Sequence, residues 1–214
     1  MRRPPTRPAA LLAATLLAFG ALASGCGPSA DDVSAGDAAA RDTAAPAAAA
    51  PAAGYSLYDL PSVWRDQRGD TLRLPALAGK VRVLAMVYTS CQATCPLIVA
   101  DLKRVERSLP ADRRSDVGFV LVSLDPARDT PGRLAEWAEQ TQLDPARWTL
   151  LSGDDEAVRE LAATLDVRYQ AQPDGELAHT NALTVLDATG AVAHRQLGLG
   201  DTRATVRATR ALLR

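Results

Sequence analysis

Lysine is nearly missing from this chain: only Lys80 and Lys103 stand among 24 cationic residues, the rest being arginines. The 25 acidic residues bring the formal net charge to −1. Such a balance argues against electrostatic nucleic-acid binding, which needs a marked basic excess. Aromatic residues make up only 4%, and no apolar run reaches the ~20 residues of a spanning helix. A polytopic membrane protein is therefore not expected. Cysteine is scarce too, with Cys26, Cys91 and Cys95 alone, too few for a disulfide-scaffolded miniprotein. Histidine occurs twice, at 179 and 194, and no proline follows Pro173.

The N-terminus reads as an address. Arg2, Arg3 and Arg7 precede an uncharged, mostly apolar run from Ala9 to Ala23, and the small residues Ala23, Ser24 and Gly25 lead into Cys26. This is the order of an export signal. Leu22-Ala23-Ser24-Gly25-Cys26 resembles a bacterial lipobox, with Ala23 where leucine is commoner, so Cys26 is the expected lipidation site. An ordinary cleaved signal is the alternative. Lipidation would also explain an odd cysteine count in an exported protein. Residues 27–53 hold 13 alanines, three prolines and four aspartates without an aromatic residue. A segment of that composition cannot bury a core and is expected to be a disordered tether.

Residues 54–214 are long enough for one well-buried core. Tyr55–Leu60, Val63–Arg65, the Arg68-Gly69-Asp70 turn and Thr71–Leu74 suggest an N-terminal β-hairpin. Val81–Tyr88 is nearly all apolar, as a strand covered on both faces would be. Apolar residues at 98, 102, 105 and 109 mark a helix over 96–109. Val117–Leu124 reads as a second buried strand, and Thr130-Pro131 as the start of a helix reaching about Thr141. A short strand at Trp148–Leu151 and a helix at Asp154–Leu165 come next. Strands at Ala182–Leu186 and Val192–Leu197 form a hairpin about Asp187–Gly190, and a helix at Thr202–Leu213 closes the chain. The expected fold is α/β and thioredoxin-like, with the N-terminal hairpin and the strand–helix of 148–165 as additions. Trp64, Trp137 and Trp148 are expected in the core.

Cys91 and Cys95 fall between the strongest strand and the first helix. Peptide N–H groups and the positive end of the helix dipole stabilise thiolates there, so lowered thiol pKa values are expected of the pair. The four-residue spacing is one longer than the C-x-x-C of thioredoxin. Two such sulfurs can close as a disulfide or spread to hold an ion. His179 lies just before the Ala182–Leu186 strand, in the loop that approaches the cysteines in a thioredoxin-like sheet, where thioredoxins place a cis-proline. If Leu186 faces Ala191 across the hairpin, His194 faces Leu183, about 13 Å along the strand from His179. A closed Cys₂His₂ zinc site is then not expected, and His194 is assigned to the hairpin surface. Two thiolates and one imidazole remain, a donor set that suits trigonal Cu(I).

With these residues in view, the chain resembles the Sco/SenC family of copper-binding, thioredoxin-like proteins that assist cytochrome c oxidase assembly. The resemblance rests on Tyr88-Thr89-Ser90-Cys91-Gln92-Ala93-Thr94-Cys95-Pro96, on Val122-Ser123-Leu124-Asp125-Pro126-Ala127-Arg128-Asp129-Thr130-Pro131, and on His179 before a strand. It implies Cys91, Cys95 and His179 as metal ligands. Gln92 and Ala93 replace the proline and aspartate commoner in the family loop, and Ala178 replaces an aspartate. Asp129 and Thr130 are read as turn and helix cap, and Asp125 as a candidate near the site. The resemblance implies an exported copper metallochaperone, lipid-anchored at a membrane and facing the periplasm or cell exterior. Copper as Cu(I) or Cu(II) would be its cargo and an oxidase subunit its partner, with a monomer and no nucleic acid expected. The alternative is an enzyme, a thiol–disulfide oxidoreductase in which Cys91 attacks and Cys95 resolves.

Overall fold

The computed structural model describes residues 55–214. The export signal, Cys26 and the tether lie outside the described residues. A seven-stranded sheet forms the frame, built from β1 (Val63–Asp66), β2 (Thr71–Arg73), β3 (Val81–Val87), β4 (Val117–Ser123), β5 (Trp148–Ser152), β8 (Ala182–Leu186) and β9 (Val192–Leu197). Its strand order is β2-β1-β5-β4-β3-β8-β9. The central β3, β4 and β5 run parallel, and β8, β9 and β1 are antiparallel to their neighbours. Parallel neighbours need crossovers. Here these are the helices α1 (Cys95–Ser108) and α2 (Pro131–Gln140). Helix α3 (Asp155–Thr164) follows β5, and α4 (Arg203–Ala211) follows β9. This is the thioredoxin-like α/β arrangement, with the expected hairpin and strand–helix additions.

Alternation along β3 splits the core in two. Val83, Ala85 and Val87 join α1, α2 and α4 through Ile98, Leu102, Leu134, Trp137 and Val206, with Leu213 just past α4. Leu84 and Met86 face the opposite cluster, where Trp64 and the α3 residues Val158 and Leu161 pack. The period of two puts successive side chains on opposite faces, so an almost wholly apolar strand feeds both layers. Trp64, Trp137 and Trp148 are all buried, as expected.

Three local expectations change. Leu57–Asp59 is a 3-10 turn capped by Ser56 instead of a strand, and the hairpin begins only at Val63. A second hairpin, β6 (Tyr169–Ala171) with β7 (Leu177–His179), stands apart from the main sheet. His179 therefore closes a strand, opposite Tyr169, and is not a free loop residue. Leu186 faces Val192 instead of Ala191, and a bulge between Val185 and Leu186 adds one residue more, so His194 lies opposite Val185 instead of Leu183, farther still from His179.

Candidate metal centre

The site forms at the C-terminal end of β3. The strand ends at Val87, and Cys91 lies in the loop that leads to Cys95, the first residue of α1, with Pro96 in the first turn. Proline there costs no helical hydrogen bond, because the first N–H groups have no partner within the helix. The free N–H of Cys95 reaches back to Cys91 Sγ at 3.3 Å, and the Thr94 hydroxyl lies 3.8 Å from the same sulfur. Both cysteines are buried free thiols, Cys91 at 6% exposure and Cys95 at 0%.

Burial alone would raise the Cys91 pKa, but hydrogen bonds from the Cys95 backbone and thiol, the Ala93 backbone and the Thr94 hydroxyl outweigh it. The pKa falls to about 7. Cys95 moves the other way: burial dominates, reinforced by the negative fields of Cys91 and Asp129, and it stays protonated. The expectation of two activated thiols is thus met for one. A thiol whose pKa is held below its ordinary value of 9 stabilises the fold above pH 9 and loses that contribution as pH falls towards about 7. Iodoacetamide should accordingly modify Cys91 of the reduced protein with a midpoint near pH 7, leaving Cys95 unlabelled until unfolding. Peptide mass spectrometry checks both; a Cys91 midpoint at the ordinary value would refute the assignment.

The imidazole comes from the second hairpin. His179 Nδ1 lies 3.2 Å from the Thr180 carbonyl, which fixes it as the N–H donor and turns the lone pair of Nε2 towards Cys95 Sγ, 3.7 Å away. Burial depresses the His179 pKa, with the Thr180 carbonyl opposing it, so the ring is neutral. In this tautomer the Nε2 lone pair faces Cys95 Sγ, whose one S–H lies between that nitrogen and the Cys91 sulfur, while Nδ1 is held by a carbonyl as in a metal-ligating histidine. Both sulfurs and a ring nitrogen lie within 4.8 Å of one another. No other histidine, cysteine or carboxylate among the described residues joins the group. His194 is excluded by position, and it is half-buried instead of sitting on the surface, its pKa lowered by burial and by Arg207. Two sulfurs and one imidazole form a soft donor set that fits a trigonal ion without large movement.

Two supports hold the donors together, and neither was read from the sequence. The Tyr88 hydroxyl donates to Glu176 Oε2 at 2.6 Å and accepts from the Leu177 N–H at 3.1 Å. Its ring meets His179 edge to face at 5.9 Å. Tyr88 thus ties the end of β3 to the hairpin that carries the imidazole. Arg128 adds a second tie, donating to the Gly175 carbonyl at 3.0 Å while paired with Asp125. Asp125 therefore acts through Arg128 and is not in the donor group. Asp129 was read as a turn residue, yet it is 0% exposed. It accepts from the Thr89 N–H and hydroxyl and from the Ser123 hydroxyl, at 3.1, 2.6 and 2.6 Å. Thr130 caps α2 through the Arg133 N–H, as expected.

A buried dithiol of unequal acidity, placed between strand and helix and faced by a neutral imidazole, defines a thioredoxin-like protein whose thiol site carries a third soft donor. The chain belongs to the SCO1/SenC family, which matches residues 59–214. A SCO1 homolog of Bacillus subtilis is 26% identical over 145 residues, covering 66% of this chain and 75% of that one. A relative from Stutzerimonas stutzeri is 26% identical over 131 residues, and the match spans 63% of its length. Among solved structures, a SCO1/SenC family lipoprotein of Bacillus anthracis superposes with a TM-score of 0.66 at 25% identity, over 73% of this chain and 96% of that one. Copper-bound ScoI of Bradyrhizobium japonicum gives 0.59 at 25% identity, over 72% and 96%.

Proposed function

We propose that this protein is an exported, membrane-tethered copper metallochaperone that holds one copper through Cys91, Cys95 and His179. It delivers the ion to a respiratory copper site, the binuclear centre of an oxidase subunit being the client that the family resemblance implies. Cys26 carries the lipid, and residues 27–53 lead from it to a domain beginning at 54. One observation carries the proposal: three soft donors from two separate segments lie within 4.8 Å of one another, with the nitrogen lone pair already turned inward. Binding displaces the Cys95 proton and any proton left on Cys91, so affinity rises with pH. Transfer of two electrons from the two bound thiolates to an external disulfide, which leaves as two thiols, closes the Cys91–Cys95 disulfide, removes two of three donors and releases the ion. Copper titration against a competing Cu(I) chelator should give one ion per reduced chain and none per oxidised chain. Equal binding in both states would overturn the reading.

The asymmetry of the thiols supports a second role, reduction of client cysteines before metal loading. Cys91, the more acidic and less buried sulfur, would attack, and Cys95 would resolve the mixed disulfide. His179 is not needed for that chemistry. Turnover of a disulfide substrate that survives His179→Ala, without metal, would favour it.

A further inference from the structure

The near-neutral total conceals an uneven distribution of charge. Residues 101–116 and 201–214 hold nine of the arginines and lysines against five acidic residues; the rest of 55–214 holds eleven against sixteen. These two segments are α1 with its following turn and α4, and they meet: Arg210 donates to the Ser108 carbonyl, and Arg104 to the Gly200 carbonyl. Arg203, Arg207, Arg210 and Arg214 follow one another at helical spacing, and all four are exposed. Arg114 donates to the Arg107 and Leu109 carbonyls at 3.4 and 3.3 Å, so its guanidinium and that of Arg210 converge on the last turn of α1. Part of their role is to satisfy the free carbonyls of that helix end. That duty uses one or two of the five N–H donors each carries. Nearby acids are largely engaged elsewhere, Asp116 by Arg113 and Asp201 by Arg203, leaving Asp112 exposed. Among the described residues, Arg107, Arg114, Arg207, Arg210 and Arg214 form no ion pair.

The register fixes where this cluster lies. Helix α1 runs from the metal site back to the start of β4, so its last turn marks the opposite pole of the sheet. The β8–β9 turn lies at that same pole, since Leu186 pairs with Arg82 at the beginning of β3. The chain joins the domain there too: Ser56 bridges Ala191, and the Leu57 N–H bonds the Gly190 carbonyl at 2.9 Å. Leu212, an apolar side chain 37% exposed, sits between Arg210 and Arg214. Uncompensated arginines around an exposed leucine, at the pole where the N-terminal segment arrives, match a lipid surface. Guanidinium forks pair with phosphate, and the leucine can enter the headgroup boundary.

We infer that the α1–α4 pole docks on an anionic phospholipid bilayer through Arg107, Arg114, Arg207, Arg210 and Arg214, with Leu212 dipping into the interface. The thiol site at the far pole then faces away from the membrane, open to a client. The inference goes beyond metal binding and needs no lipid on Cys26.

Residues 55–214 suffice for the test, because the solved Bacillus anthracis relative consists almost wholly of the part matched here, 96% of its chain. The domain is sedimented with vesicles of phosphatidylcholine alone and of phosphatidylcholine mixed with phosphatidylglycerol, at low and physiological salt. Binding is expected to the mixed vesicles only, weakening as salt rises. Reversal of three charges (R207E, R210E, R214E) should lower partitioning by at least about 100-fold, since the lost attraction alone is roughly one kcal/mol per arginine. R210E also removes a helix cap, so R207E with R214E serves as the control, expected to lose at least about 30-fold while keeping the wild-type Tm and copper stoichiometry. Indifference to phosphatidylglycerol, unchanged binding by the double variant, or binding to short duplex DNA but not to vesicles would overturn the proposal.

Discussion

His179→Ala should lower Cu(I) affinity by more than about 100-fold, because losing a ligand costs more than the 10–100-fold typical of its hydrogen-bonded supports. The remaining donors are a thiolate and a thiol that burial keeps protonated. With Nε2 gone, the ion loses its nitrogen donor and the Cys95 S–H loses the acceptor 3.7 Å away, leaving the Cys91 sulfur as its remaining partner. Thiol chemistry should be nearly untouched. The bonds that depress Cys91 come from Cys95, Ala93 and Thr94, so disulfide formation and the midpoint of Cys91 alkylation should match wild type. Glu176→Ala tests the support separately. It frees the Tyr88 hydroxyl from its 2.6 Å partner while leaving the imidazole, and should cost about 10–100-fold. Competition with a Cu(I) chelator measures both. Wild-type affinity in His179→Ala would remove the imidazole from the site and leave a dithiol protein.

How much of this could be read from the sequence depends on the length over which a pattern repeats. The buried strands and helices run for five to fourteen residues, and each was placed within a residue or two. The β6–β7 hairpin has two strands of three residues each, Tyr-Gln-Ala and Leu-Ala-His. Three residues are too few for alternation to register, so His179 was expected in a loop. The register of β8 against β9 was off by two at His194: Leu186 faces Val192 instead of Ala191, and a bulge in β9, which nothing in Val-Ala-His marks, adds the second residue. The meeting of Cys91, Cys95 and His179 was anticipated from the position of the thiols and from family resemblance. The unequal acidity of the thiols was not. It follows from one sulfur sitting outside the first helical turn, where N–H groups point, and the other within the core. The Tyr88–Glu176 tie joins residues 88 apart in sequence, and neither residue type announces the other.

Asp129→Ala should cost about 2–4 kcal/mol, since removing a buried carboxylate strands the donors aimed at it. Three are involved: the Ser123 hydroxyl, the Thr89 hydroxyl and the Thr89 N–H. The hydroxyls can rotate to other partners. The Thr89 N–H, held by the backbone and buried, cannot. Arg133 Nε also meets the Thr89 hydroxyl at 3.2 Å, so the loss reaches α2. For a domain of this size such a change lowers Tm by about 5–15 °C. Asp129→Asn with its oxygen in the Oδ2 position keeps the acceptor shared by the Thr89 N–H and the Ser123 hydroxyl and turns its N–H₂ towards the Thr89 hydroxyl oxygen, which can accept, so it should retain more than half of that stability. Thr89 stands two residues before Cys91, and the carboxylate therefore fixes the approach of the thiol loop as well as the core beneath it. Reduced Asp129→Ala should show a broadened pH profile for Cys91 alkylation even well below its Tm, as the loop samples positions where the Cys95 N–H no longer reaches the sulfur. Urea unfolding of the three proteins gives the stability differences. A cost below about 0.5 kcal/mol for Asp129→Ala, in the range of a surface change, would mean that the buried carboxylate supports neither the core nor the loop.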